Sequence, residues 1–204
     1  MRVPSQTSRD VPVVDAAGRA WGFTLIELLV AIAVAAILMM FAIPSFTNMI
    51  NSNRLNAAAN AMIGALNTAR MAAIQQNTSA QFCSNAAATN TTTDALGTKC
   101  STNAGEVFIF AATSSSATGS ATQLAAPPAE LNIPSIHIHG TIAAIRYNSQ
   151  GIGYAPGATT PFDSSTDGAV VDLCSTAIST NNDIQIRMAT GSIISTVTTT
   201  GTCP

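Results

Sequence analysis

The hydrophobic pattern of this chain changes character twice. Residues 23–43 read FTLIELLVAIAVAAILMMFAI, apolar on every side of a helix, with Glu27 as the single charge. A run of 21 residues rises about 32 Å as an α-helix, close to the hydrocarbon thickness of a bilayer. Beyond Pro44 the pattern becomes one-sided. Leu55, Ala59, Met62, Leu66, Ala69 and Ala73 recur at steps of three and four, while Arg54, Asn56, Asn60, Asn67 and Gln75 fall off that stripe. The helix is therefore expected to continue over 44–76, about 80 Å in all, with its second half laid on a globular domain. Pro44 lacks a backbone donor and predicts a kink; Gly64 weakens the helix by about 1 kcal/mol relative to Ala.

From Ser79 the period shortens. Residues 107–110, 136–138, 142–147, 170–173, 184–188 and 193–197 are short β-type runs separated by Gly, Pro, Ser, Thr and Asn. Asn148-Ser-Gln-Gly151 is a turn signal. Segments 86–93 and 114–122 are of low complexity and read as solvent-facing loops. The expected class is α+β: a long N-terminal helix, membrane-spanning in its first half, packed on an antiparallel β-rich domain at 77–204.

The flanks of the apolar run orient it. Arg2, Arg9 and Arg19 precede it, and only Arg54 follows closely. By the positive-inside rule the N-terminus stays cytoplasmic and the bulk of the chain lies outside. Residues 1–22 carry neither a helical nor a strand period and read as a leader. A cleaved secretory signal is the competing reading. Its apolar core would be shorter, would lack a carboxylate and would end in small residues, whereas this run ends in Ala-Ile-Pro-Ser-Phe.

Glu27 is costly in such a setting, about 2.5–3.5 kcal/mol at a helix centre. It lies near the start of the run, so it could reach the headgroups as a tolerated interfacial acid. The functional alternative is a cation partner. No Lys or Arg lies in the run, but an amine freed by cleavage before Phe23 would supply one, from the same chain or from a neighbouring subunit. An ion pair at 4 Å is worth about 4 kcal/mol at an effective dielectric near 20.

Composition narrows the partners. Of 204 residues, 47% are hydrophobic and only 9% charged, with eight basic and ten acidic residues. That excludes charge-driven disorder and a charge-laced helical bundle, and it supplies no basic excess for a broad nucleic-acid surface. Loss of the leader removes three Arg and two Asp, leaving the remainder more acidic.

Four cysteines, Cys83, Cys100, Cys174 and Cys203, suit an oxidising, exported compartment. Three pairings are open. No C-x₂-C pair is present, so a zinc site is not expected from the cysteines. His137 and His139 alternate on one strand face, but no third ligand is evident in the sequence; surface or packed histidines are expected and no metal is assigned. There is no phosphate loop, nucleophile elbow or paired acid, and Gly151-Ile-Gly153 lacks the rest of a dinucleotide fingerprint. No catalytic residue, cofactor or enzymatic activity is expected.

Gly22-Phe23-Thr24-Leu25-Ile26-Glu27, followed by the apolar run and Pro44, resembles the class III signal of type IV pilins and type II secretion pseudopilins. The resemblance implies that a prepilin peptidase cuts between Gly22 and Phe23 and N-methylates Phe23. It further implies that the helix packs into a fibre core where Glu27 faces the Phe23 amine of a neighbour. The long leader resembles those of minor pilins and pseudopilins. Within the superfamily, segments 53–60 and 66–70, Cys83, Tyr147-Asn-Ser-Gln-Gly151, Leu173-Cys174 and the Arg-bearing strand leading to Gly191-Ser-Ile-Ile194 resemble the GspH/FimT branch. Chain proximity and that branch's habit of tying down its C-terminal strand favour Cys83–Cys100 and Cys174–Cys203.

The resemblance implies a single-pass protein of the bacterial inner membrane with a periplasmic C-terminal domain. Its implied partners are other pilins or pseudopilins, the prepilin peptidase and the inner-membrane assembly platform. Three functions follow from it: a minor type IV pilin that helps initiate or cap the fibre; a minor pseudopilin of a type II secretion system; and, least favoured, a DNA-binding pilin for natural transformation. Relatives of the third kind carry a Gly-Arg-x-Arg motif where this chain has Gly191-Ser-Ile-Ile194, and only Arg187 is basic after residue 146. Phosphate contacts need Lys or Arg, so nucleic acid is not an expected partner.

Overall fold

The computed structural model describes residues 22–90, 94–100, 102–111 and 120–204; most of the expected 1–22 leader lies outside them. The chain forms two compact units, one ending at Ile43 and one beginning at Pro44. Helix α1, Leu25–Gln75, contributes to both.

In the first unit α1 is apolar apart from Glu27 and is exposed at every position whose side chain is described. In the second unit it turns amphipathic. Leu55, Ala58, Ala59, Met62, Ala65, Leu66, Ala69, Ala72 and Ala73 are buried, and Arg54, Asn56, Asn60, Asn67 and Gln75 are exposed. Six alanines in that stripe leave little side chain between the helix and the strands beneath it. The helix ends where Asn77 turns left-handed (φ 48) and the Thr78 amide donates back to the Ala73 carbonyl at 3.0 Å, a Schellman-type stop.

The strands are β1 (Ala80–Phe82), β2 (Val107–Ala111), β3 (Ser120–Ala125), β4 (Ile136–Ile138), β5 (Ile145–Tyr147), β6 (Gly153–Tyr154), β7 (Val171–Ser175), β8 (Asp183–Ala189) and β9 (Ile193–Thr199). They form two antiparallel sheets, ordered β3-β2-β1-β5-β6 and β4-β7-β8-β9. Period-two alternation turns one face of each sheet inward. Ala80, Phe82, Val107, Ile109, Ile145 and Tyr147 of the first sheet join Val171, Leu173, Ile184, Ile186 and Met188 of the second and the α1 stripe in one core. A smaller cluster of Cys83, Leu96, Cys100 and Phe108 lies apart from it.

The structure departs from the sequence-based expectation in three places. The run 142–147 is a strand only over Ile145–Tyr147, because the Ile142 amide donates to Asn85 Oδ1 (2.9 Å) and that of Ala143 to the Val170 carbonyl (2.8 Å). Segment 86–93 is not simply a solvent-facing loop: it holds α2 (Ala87–Asn90), whose Asn90 is fully buried. Segment 114–122 runs into β3 at Ser120, and its residues 114–119 lie outside the described ones.

Candidate functional site

The N-terminal end of α1 is built by Thr24. Its carbonyl accepts from the Leu28 amide (3.1 Å) and its Oγ1 from the Glu27 amide (3.3 Å). Thr24-x-x-Glu27 has the spacing of a capping box, a signal local enough to stand in the sequence itself. The cap satisfies a backbone donor that lipid would leave unpaired. Glu27 sits in the first turn, where the helix dipole favours a carboxylate, and its side chain is exposed. Gly22 and Phe23 precede the helix and are exposed, Phe23 at 81%, so nothing among the described residues shields the bond between them.

Downstream, Leu25, Ile26, Leu28, Leu29, Ile32 and Leu38 are each more than half exposed. Soluble monomers rarely carry a contiguous apolar surface of this extent. The helix is long and apolar enough to cross a membrane.

The Tyr147–Gly151 motif docks a turn on the far end of α1. Asn148 Oδ1 accepts from the Gln150 and Ile152 amides, both at 3.0 Å, and the Gly151 amide donates to the Asn148 carbonyl. Gly151 has φ +75, and a Cβ there would lie 2.6 Å from Ile74 Cδ1. Gly191 (φ +69) is tighter still, since its Cβ would meet the Gly153 carbonyl oxygen at 2.5 Å. The Gly153 amide donates to the Gly191 carbonyl and the Gly191 amide to that of Phe162, each at 2.7 Å. These two motifs thus lock the β8–β9 hairpin against the segment around β6. Tyr147 itself is fully buried, and burial pushes its hydroxyl above the usual phenol range despite the charge of Arg70.

Three arginines that belong to or pack on the domain are engaged within the chain. Arg70 Nη1 donates to the Ser192 carbonyl (3.0 Å) and Arg187 Nη2 to Gln185 Oε1 (2.8 Å). Arg146 makes a two-pronged pair with Asp94 and also donates to Gln81 Oε1. At Gly191-Ser-Ile-Ile194 no side chain is basic, and Ile193 is 63% exposed.

Cys83 is bonded to Cys100 and Cys174 to Cys203. The first bridge closes the segment that carries α2 and α3 (Ala95–Lys99). Inside it Asn90 accepts from the Ser84 amide (2.8 Å) and donates to the Ser84 and Cys100 carbonyls. Asp94 caps α3 through the Gly97 amide at 2.8 Å. The second bridge straps the C-terminal tail to β7. His137 and His139 are at the β4 end of the second sheet, half-buried and exposed respectively.

Residues 22–43 match the family model described as the prokaryotic N-terminal methylation motif, and residues 58–192 match that described as type II transport protein GspH. Neither a curated protein nor a solved structure matches the chain. The second match spans well over half of the sequence and takes in most of the α1 stripe, the strands from β1 to β8 and the Gly191 turn. Together with the capped apolar helix they define what the molecule is: the chain belongs to the GspH family and is a type IV pilin-like protein of the GspH/FimT branch.

Proposed function

We propose that this pilin-family subunit is a minor type IV pilin that helps initiate or cap fibre assembly. The observation that carries the reading is the apolar first stretch of α1, exposed at its described positions, with Glu27 in its capped first turn. Such a surface needs lipid before assembly and neighbouring helices afterwards. In this account a prepilin peptidase cuts between Gly22 and Phe23 and N-methylates Phe23. Glu27 then pairs with the Phe23 amine of an adjacent subunit, which offsets the cost of a carboxylate in an apolar bundle. Pro44 gives the kink between residues 23–43, which span the membrane or fibre core, and residues 44–76, which carry the domain at 77–204. The N-terminus is cytoplasmic and the domain periplasmic until the inner-membrane assembly platform incorporates the subunit. The family is structural, and we assign no reaction to this member.

The disulfides and the Ser/Thr-rich loops favour a surface fibre. A minor pseudopilin of a type II secretion system is the second reading, favoured by the description of the family model itself. DNA binding for transformation ranks last, because the domain's arginines are engaged within the chain. Gene deletion in the source organism separates the first two readings. Loss of major pilin from the sheared surface fraction, with normal export of a type II-secreted enzyme, is the expected result. Loss of secretion with normal pili would replace the pilus by the secretion system.

A further inference from the structure

The outer face of the second sheet gathers three ligand-type side chains that lie far apart in sequence. Asp172 pairs with Gln185 and Cys174 with Asp183 across β7 and β8, so Asp172 and Asp183 are diagonal neighbours on one face. β4 runs antiparallel to β7, and the His139 amide donates to the Asp172 carbonyl at 2.9 Å, which brings the imidazole beside both carboxylates. His139 Nδ1 lies 3.8 Å from Asp172 Oδ2 and 3.7 Å from Asp183 Oδ2. One ligand atom from each residue falls within 4.8 Å of the others.

Two features of this cluster are unusual for a solvated acidic face. Asp183 is only 4% exposed, and neither its Oδ1 nor that of Asp172 has a hydrogen-bond partner among the described residues. No Lys or Arg forms an ion pair with either carboxylate among those residues. Buried carboxylate oxygens without a hydrogen-bond partner are costly. The surroundings hold them in place nonetheless. Gln185 Nε2 donates to Asp172 Oδ2 at 3.1 Å. The tail is fixed over Asp183 by the Cys174–Cys203 bridge and by the reciprocal hydrogen bonds between Asn182 and Gly201.

We propose that His139, Asp172 and Asp183 form a binding site for a divalent transition-metal cation of the zinc type. Ligands 2.0–2.2 Å from a tetrahedral zinc stand about 3.3–3.6 Å apart, so the two His139 separations of 3.7 and 3.8 Å need to close by a few tenths of an ångström, and the carboxylate oxygens, within 4.8 Å of each other, by up to about 1.5 Å. One imidazole with two carboxylates suits zinc, whereas calcium and magnesium prefer all-oxygen sets. The remaining coordination position is left to water, on the side where His139 is exposed. Gln185 orients Asp172 as an outer partner. Bound metal ties the end of β4 to β7 and β8 beneath the C-terminal strap. The sequence conceals this site because its ligands come from β7, β8 and the residue that follows β4.

The test uses the full chain in detergent, purified without a polyhistidine tag, stripped with chelator and equilibrated with zinc against a chromophoric competitor. One zinc per chain in the micromolar range is expected, undisplaced by millimolar calcium or magnesium. His139→Ala removes an exposed side chain and should fold normally while losing this binding, and Asp172→Asn should lose it too. Gln185→Leu should weaken binding by about tenfold or more; His137→Ala should leave it unchanged. Zinc should also raise the melting temperature of the wild type and not that of His139→Ala. Absence of zinc binding to the wild type, equal binding by His139→Ala, or displacement by calcium would each overturn the proposal.

Discussion

Arg146→Met tests how the domain is held together away from its main core. Gln81 is completely buried on β1, and its Oε1 accepts from Arg146 Nε at 3.0 Å and again from Nη2. Methionine keeps the apolar stem and cannot donate. The substitution leaves a buried amide oxygen unpaired, which costs about 1–3 kcal/mol. It also removes the two-pronged pair with Asp94, but the Asp94 side chain is 42% exposed, so that loss adds only about 0–1 kcal/mol. The total is about 1–4 kcal/mol, or a fall in melting temperature of about 2–16 °C for a domain of this size. Urea and thermal unfolding of the full chain in detergent would measure it. A double-mutant cycle with Gln81→Met should return a coupling of about 1 kcal/mol or more. The pH dependence gives a second readout. Burial raises the Asp94 carboxyl, yet the Arg146 hydrogen bond, the Gly97 amide, the Arg146 charge and the Leu96 amide outweigh it, so the group lies below its ordinary value of 3.8. A depressed carboxyl contributes stability that is full above the unfolded value and lost as pH falls through the folded one. The wild type should therefore weaken as pH drops below 3.8, and Arg146→Met should weaken less steeply. A cost under about 0.5 kcal/mol, with an unchanged acid limb, would refute the reasoning.

Three other perturbations follow from the same geometry. Gly191→Ala forces a Cβ into the left-handed region and against the Gly153 carbonyl at 2.5 Å; a loss of at least about 2 kcal/mol is expected, and a melting temperature within error of wild type would contradict the close approach. Replacing Cys83 and Cys100 together by Ala opens a loop with a sequence separation of 17 and should cost about 3 kcal/mol. Hydrogen exchange should then rise over 84–100 while β7 and β8 stay protected. Glu27→Val should be processed normally but recovered poorly in sheared fibres, and wild-type recovery beside the major subunit would make the proposed Glu27–Phe23 pairing dispensable.

Much of the architecture was legible because it rests on long periodic segments. The stripe from Leu55 to Ala73 is buried at each position read as core, and the strands around 107–110, 136–138, 170–173 and 184–188 rest on apolar residues that the core buries, whereas β9 over 193–197 is read from its β-branched residues and lies largely exposed. What escaped has short or polar sequence. β1 has only three residues, and its central Gln81 is buried through a side chain from β5. β3 is a Ser-Ala-Thr-Gln edge strand with little apolar alternation. Asn90 looks like part of a Ser/Thr/Asn-rich loop, yet it is the buried hub of a disulfide-closed segment. His139 was visible as a ligand type, but Asp172 and Asp183 become its neighbours only once β4, β7 and β8 pair. The Thr24–Glu27 cap was readable and is local; the pairing proposed for Glu27 involves a second subunit and so lies beyond any single chain.

The central claim, that the apolar helix is the processed assembly element of a pilin-like subunit, is tested most directly at its N-terminus. The chain would be extracted from membranes of the source organism and its intact mass and N-terminal peptide determined. The account predicts a chain that begins at Phe23, one methyl group heavier than the sequence requires, with Gly22→Leu accumulating the uncleaved form. A chain that retains residues 1–22, or one cut elsewhere, would contradict it.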